Sequence, residues 1–328
     1  MEIIKYLVSR IHLNMAIISK IYHFIIPQKL RKRIGYRRKI SLWQEKYALY
    51  ELSRVVEKYY KSKHVSPEVR TALIFLRNHH FNLDTFKLLY VSNVVDVYFN
   101  KYKNMAVYQN DILNLPYVLH NNKPLYFPRE YNEITIRKCY AQFLYEMDKD
   151  SPHLYCLNPK ELKGRILFDC GVAEGLFPLN YIDSFKEIVL FECDTKWIEP
   201  LKATFEPYKK KVSIVNAYVS NDVSNDNITL DYYAATHNIR PSFIKMDIEG
   251  FEESALRGAK HILNESNDLI CAICTYHTPY AERNIVHYMK EYGFSPKYNK
   301  GYMFFHYEKP ITPPYLRRGV VRFIKEQQ

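Results

Sequence analysis

Glycine is scarce in this chain. Nine glycines in 328 residues is about 3%, less than half the usual share of about 7%, which excludes collagen-like repeats and glycine-rich linkers. Cysteine is too sparse for a disulfide-built scaffold: the six, Cys139, Cys156, Cys170, Cys193, Cys271 and Cys274, are scattered. The one close pair lies in an apolar run, Leu269 to Thr275, that reads as a buried strand, where residues three apart face opposite ways. That argues against a zinc knuckle and for small apolar fillers in a reducing cytosol. No apolar stretch approaches the roughly 18 residues of a membrane-spanning helix, and no small-residue cleavage site follows the amino-terminal segment. There is no internal repeat and no low-complexity tract. With 47% apolar and 25% charged residues, the composition is that of folded domains, and the length favours two.

Acids are nearly absent from the first forty residues, which carry ten Lys or Arg against Glu2 and so supply +9 of the formal +12. Within positions 3 to 26, Ile3, Leu7, Ile11, Ile18, Tyr22 and Ile25 share one helical stripe. Pro27 ends the pattern and a polybasic cluster, Lys29 to Lys39, follows. Such an arm suits either an anionic membrane surface, met through residues 1–39, or a first helix docked on the protein's own core. Residues 41–160 read as a mainly helical region, with helices over Leu42–Lys61, Pro67–His79 (Ser66 as N-cap) and Asn132–Met147. A hairpin spans Tyr117–Phe127 around Asn121-Asn122. Asp148 to Pro152 is the expected boundary, residues 161–310 form the next domain, and 311–328 read as a basic carboxy-terminal tail.

Seven of the nine glycines fall between Gly164 and Gly301, and from the boundary onward short apolar strands alternate with helices, the pattern of an α/β domain. The strand Ile166-Leu167-Phe168 runs into Asp169-Cys170-Gly171-Val172-Ala173-Glu174-Gly175. Small residues at alternate positions let backbone approach a ligand closely, and the next helix begins there. A dinucleotide fingerprint needs small residues at the first, third and sixth positions; Gly171 and Ala173 comply but Leu176 does not. What survives, an acid followed by Gly-x-Ala-x-Gly, is the loop of enzymes that bind S-adenosyl-L-methionine. The second strand, Ile188 to Phe191, ends in Glu192, 21 residues after Gly171, where a carboxylate can accept both ribose hydroxyls. A third strand, Val212 to Val215, leads to Asn216 and Ala217, expected to line the adenine.

The fourth strand carries the most specific text, Phe243-Ile244-Lys245-Met246-Asp247-Ile248-Glu249-Gly250-Phe251-Glu252. Lys245 and Asp247 share a face and, on a mostly buried strand, need each other or a ligand. Gly250 frees the turn into a helix whose inner stripe is expected to be Phe251, Ala255, Ala259 and Leu263, with Glu252 and Glu253 at its positive end.

Asp169 to Gly175, Phe191-Glu192, Thr229-Leu230-Asp231 and Lys245 to Glu252 with Leu256-Arg257-Gly258-Ala259 together resemble the FkbM family of S-adenosylmethionine-dependent methyltransferases, over about Gly164 to Tyr307. Tyr126-Phe127-Pro128-Arg129 and Ser151-Pro152-His153 resemble the region that precedes the domain in some bacterial members. The chain departs from the family at Ala173-Glu174, where Asn is usual, and at Glu192-Cys193-Asp194 in place of Glu-Pro-Asn. The resemblance implies a class I, Rossmann-like α/β fold and methyl transfer to oxygen, often on a sugar of a glycan or natural product.

In the class I strand order 3-2-1-4-5-7-6, ligands bind at the carboxyl ends of strands one, four and five, which places Asp169, Asp247 and His277 together. A sugar hydroxyl holds its proton tightly, so transfer needs a base or a metal that acidifies it. Asp247, His277, Glu249 and Lys245 are the catalytic candidates, with Asp247 and Glu249 as ligands should a divalent metal be used. The cofactor candidates are Asp169, Gly171, Ala173, Glu174, Gly175, Glu192, Asn216 and Ala217. The acceptor expected is a sugar of a bacterial glycan, polysaccharide or lipid-linked precursor, met in the cytoplasm at the inner membrane face. Two alternatives remain, a metal-dependent glycosyltransferase using Asp247 and Glu249 and a non-enzymatic membrane-associated scaffold. Nucleic acid is not expected as a partner, because most of the charge lies in the arm and not on the catalytic face.

Overall fold

The computed structural model describes residues 36–79, 85–308 and 310–325; the amphipathic stripe and most of the polybasic cluster expected over 1–39 lie outside them. The chain divides into two compact units, Met1–Val65 with Leu73–Thr85 and Ser66–Ala72 with Phe86–Gln328. Residues 86–160 therefore share a unit with the sheet domain, and the boundary expected at Asp148 to Pro152 separates no compact bodies. The reason is apolar: Val118, Leu125, Phe127, Ile136 and Tyr140 join one core cluster with Leu167, Ile188 and Phe243 of the sheet.

The helices before the sheet are α1 (Tyr36–Lys61), α2 (Pro67–His79), α3 (Thr85–Leu89) and α4 (Val94–Tyr102). At α2 the Ser66 hydroxyl accepts the Val69 N–H at 3.3 Å, as its N-cap position requires. The hairpin is β2 (Leu115–His120) and β3 (Lys123–Tyr126), joined by β1 (Tyr108–Asn110) into a three-stranded antiparallel sheet. Asn121 and Asn122 sit at φ +49° and +62°, the left-handed pair that a two-residue hairpin turn needs. Helix α5 (Glu133–Glu146) begins where Asn132 accepts the Thr135 N–H at 2.9 Å.

The main sheet is built from β4 (Ile166–Cys170), β5 (Glu187–Phe191) and β6 (Val212–Val215), with α6 (Leu176–Asn180) and α7 (Thr195–Phe205) between them. The short β7 (Tyr218–Val219), β8 (Asn227–Ile228) and α8 (Leu230–His237) lead to β9 (Phe243–Met246). After α9 (Glu252–Arg257) and α10 (Lys260–Glu265) come β10 (Ile270–Cys274), α11 (Ala281–Glu291), β11 (Phe294–Tyr298) and β12 (Val320–Lys325). The strand order is β11-β12-β10-β9-β4-β5-β6, parallel throughout except β12, which pairs antiparallel with both neighbours. Side chains alternate between two cores: Leu167, Ile188, Leu190, Phe243, Ala272 and Cys274 on one face, Phe168, Val189, Phe191, Ile244, Met246 and Cys271 on the other. The period of two thus puts Cys271 and Cys274 on opposite faces, and both thiols are free.

Two expectations fail here. The segment 311–328 is no tail, because Val320, Val321 and Phe323 are buried in the sheet. Its strand was masked by charge: Arg322 is buried but ion-paired to Glu161, and Lys325 donates to the Leu263 carbonyl at 2.7 Å. The helix after β9 is also two helices. Gly258 lies so close to the Ser220 carbonyl that a Cβ would sit 2.1 Å from its oxygen, and Asp231 accepts the His261 and Ile262 N–H groups at 2.9 and 3.0 Å to start α10. Ala255, Ala259 and Leu263 are buried as expected, but Phe251 is 63% exposed.

Candidate active site

Residues at the carboxyl ends of β4, β5, β9 and β10 open into one cavity of about 730 Å³, the place where parallel strands leave unpaired backbone and diverging loops. Its first wall is the loop after β4. Gly171 has φ +77°, and a Cβ there would lie 1.8 Å from the Asp247 carbonyl oxygen. Glycine is therefore required by the passage of the β9 exit beneath the loop. At Gly175 (φ +80°) a Cβ would meet only the Phe205 and Leu201 side chains, at 2.8 and 2.9 Å. Ala173 takes φ +48°, an uncommon backbone state that persists where surroundings enforce it. The enforcing contact is the Ala173 N–H, which donates to Glu192 Oε2 at 2.7 Å.

Glu192 also accepts the Asp194 N–H on Oε1 at 2.8 Å. Each oxygen keeps a second lone pair, so this buried carboxylate both ties the loop to β5 and can still accept two hydroxyl donors. Asn216 is used differently from the expectation: its amide donates to the Glu192 carbonyl at 2.8 Å, and the cavity is lined by Ala217 through Ser220 instead. Glu174 is 8% exposed, and burial pushes its carboxyl up to about 8.

Asp169 and Lys245 are register partners on β4 and β9, with Nζ 2.8 Å from Asp169 Oδ1 and 2.7 Å from the Gly171 carbonyl. Burial acts against the charged ammonium, but the Asp169 and Asp247 carboxylates outweigh it and raise the Lys245 pKa. An ammonium so held cannot serve as a base; Lys245 is a support for the loop, not the catalytic group read from its spacing. Asp169 Oδ2 is buried and has no hydrogen-bond partner among the described residues.

Asp247 stands at the centre. Tyr155 donates to its Oδ2 at 2.8 Å and Tyr276 to its Oδ1 at 3.1 Å. Two imidazoles flank it, His277 Nε2 at 3.4 Å from Oδ1 and His153 Nε2 at 3.6 Å from Oδ2. Burial raises the carboxyl, but His153, His277 and Lys245 overcome it and bring its pKa to about 2. For His277, burial pulls the imidazole down while Glu252, Asp247 and Glu249 pull harder, so its pKa ends above the ordinary value.

Asp247 and His277 thus converge as the strand order implied. Glu249 does so only in part: its backbone is left-handed (φ +55°) and its side chain is 90% exposed, 3.5 Å from His277 Nε2. The carboxylate that packs beside His277 is Glu252, buried, 2.9 Å from Nδ1. Accordingly, among the described residues, the groups of three able to offer ligand atoms within 4.8 Å of one another are Asp247, Glu252 and His277, and separately His153, Asp247 and Cys274; Glu249 as placed belongs to neither.

Sequence reasoning missed four residues here. Tyr155 and Tyr276 are two of thirty tyrosines and carry no spacing signal. His153 and Glu146 come from the chain ahead of the sheet. Glu146 accepts from Tyr90 and from Gln142 Nε2, the latter at 2.9 Å, and lies 3.8 Å from His153 Nδ1. The Ser151-Pro152-His153 text was the available signal for this group.

A seven-stranded sheet in the order 6-7-5-4-1-2-3 with the seventh strand antiparallel, carrying its cavity at the strand carboxyl ends, is the class I methyltransferase fold. Within it, residues 201–296 of the chain match the family model of the Methyltransferase FkbM domain. Among solved structures it is similar to a methyltransferase FkbM from Methylobacillus flagellatus, at 16% identity and TM-score 0.38 over 76% of this chain and 65% of that one. It is also similar to a precorrin-6y C5,15-methyltransferase from Geobacter metallireducens, at 10% identity and TM-score 0.35 over 51% and 86%. A third is a putative RNA methyltransferase from Pyrococcus horikoshii, at 17% identity and TM-score 0.32 over 50% and 76%. The chain thus spans about two thirds of the length of the Methylobacillus protein. No curated protein matches it.

Proposed function

We propose that the chain is an S-adenosyl-L-methionine-dependent O-methyltransferase acting on a sugar hydroxyl of a bacterial glycan, polysaccharide or lipid-linked precursor. The observation that carries this reading is the position of Asp247, gripped by two tyrosines and flanked by two imidazoles in the same cavity as Glu192 and the Gly171 loop. The residues fit the cofactor: Glu192 has lone pairs left for a ribose diol, and the unpartnered Asp169 Oδ2 suits a cationic group. When bound, the cofactor supplies a methyl group on a sulfonium. Asp247 is kept ionised and can accept the acceptor's O–H, fixing the oxygen in line, while His277 or His153 takes the proton. The methyl would come from that sulfonium, whose sulfur would keep the bonding pair of the S–CH₃ bond.

A metal-dependent glycosyltransferase would have no need of a Glu192 carboxylate tied to the loop after β4. No described helix is long and apolar enough to cross a membrane; cytoplasmic work at the inner membrane face, with the basic arm over 1–39 on anionic lipid, is part of the proposal. Calorimetry with S-adenosylmethionine tests the cofactor. Binding is expected in the wild-type chain and at least tenfold weaker in Glu192→Ala, which removes charge-assisted acceptors; absence of binding refutes the reading. Mass spectrometry of surface polysaccharide from cells with and without the gene tests the acceptor, and identical O-methylation in both refutes it.

A further inference from the structure

Two facts about His277 are left over. Its Nε2 is buried and without a hydrogen-bond partner among the described residues, although Asp247 Oδ1 is 3.4 Å away and Glu249 Oε2 3.5 Å away. Its Nδ1 likewise has no hydrogen bond among the described residues but lies 2.9 Å from Glu252 Oε1, and Glu252 is itself anchored by the Ile248 and Gly250 N–H groups at 3.0 and 3.4 Å. A carboxylate that holds one imidazole nitrogen and aims the other is the usual support of a metal-binding histidine. The separation also has a meaning. Two donors each about 2.1 Å from one cation lie about 3.0 to 3.4 Å apart, longer than a good hydrogen bond.

Charge leads to the same conclusion. One imidazole faces three carboxylates, Asp247, Glu249 and Glu252, while the nearby Lys245 ammonium is committed to Asp169 and the Gly171 carbonyl. Tyr155 and Tyr276, which line the same cavity, reach Asp247 as neutral donors, Tyr155 on Oδ2 and Tyr276 on Oδ1. The neighbouring group of His153, Asp247 and Cys274 is a poorer candidate, because Cys274 is fully buried and both partners already face the Tyr155 and Tyr276 hydroxyls.

We propose that this corner of the cavity binds a divalent cation, with His277 Nε2 and Asp247 Oδ1 as its inner ligands, Glu249 closing on it by rotation of its exposed side chain, and Glu252 orienting the His277 ring. Two carboxylates and one imidazole suit Mn²⁺-like ions. The role follows from the functional reading above and rests on it: the cation acidifies the acceptor hydroxyl, and His153, on the opposite oxygen of Asp247, takes the proton.

The test uses the full chain stripped with chelator and titrated with Mn²⁺, read by electron paramagnetic resonance. One Mn²⁺ per chain is expected, with ¹⁴N modulation from a bound imidazole in the wild-type protein. Affinity should fall at least tenfold in His277→Ala and Asp247→Asn and about 10- to 100-fold in Glu252→Gln. No uptake, uptake without nitrogen modulation, or unchanged affinity in folded His277→Ala overturns the site. S-adenosylmethionine binding is measured on the same metal-free sample. Its absence refutes the functional reading, whereas loss of Mn²⁺ uptake alone refutes only the cation site.

Discussion

Glu174 offers a test of the cavity's interior that needs no substrate. The residue is 8% exposed, and its carboxyl accepts the Leu176 N–H at a long 3.3 Å. Burial, helped by the Glu146 carboxylate and opposed by Lys245, raises its pKa to about 8, against about 4.3 in an unfolded chain. The native state therefore keeps a proton that the unfolded state releases. Because the folded value is the higher one, the associated stability is complete below about pH 4.3 and is lost as pH rises to about 8. Each unit in that window is worth about 1.4 kcal/mol, so the loss between pH 5 and 8 reaches up to about 4 kcal/mol. Glu174→Gln keeps the shape and an acceptor oxygen for Leu176 but removes the titration. Urea unfolding followed by circular dichroism from pH 5 to 9 should show wild type and variant within about 1 kcal/mol at pH 5. By pH 8 the variant should be the more stable by about 2 to 4 kcal/mol. Parallel curves across the range would mean that Glu174 ionises normally and that the cavity wall is wetter than the structure implies.

Three further outcomes follow from the packing and the site. Gly171→Ala should destabilise the chain by more than Gly175→Ala, because its methyl meets the Asp247 carbonyl at 1.8 Å while at 175 only side chains must yield; equal melting temperatures would contradict this. Phe323→Ala should cost about 3 to 5 kcal/mol, since its ring is fully buried on β12. A loss below 1 kcal/mol would return that segment to the status of a tail. On the functional reading, His153→Ala should lower methyl transfer by about two to four orders of magnitude with S-adenosylmethionine affinity unchanged, and full turnover would remove His153 as proton acceptor.

What could be read in the chain itself was whatever nearest neighbours encode. The short apolar runs Ile188 to Phe191 and Phe243 to Met246 read as strands because a parallel strand covered on both faces is apolar nearly throughout. The Asn121-Asn122 pair gives a turn because asparagine tolerates left-handed backbone. Gly171, Glu192 and Asp247 could be named because each stands at a strand exit within a local pattern. Spacing could not assign roles that depend on distant partners. Lys245 becomes a support because β9 runs beside β4 and sets it against Asp169. Glu252, which from its position alone was read only as an acid at the positive end of a helix, is buried beside His277 because the β9 and β10 exits meet. His153 reaches Asp247, and Glu146 reaches His153, only because the apolar residues of α5 and the hairpin pack into the sheet's core. Arg322 sits inside a strand because Glu161, 161 residues earlier in the chain, neutralises it. A buried charge is stable only with its partner, and where that partner lies far along the chain, tertiary packing alone determines the residue's place.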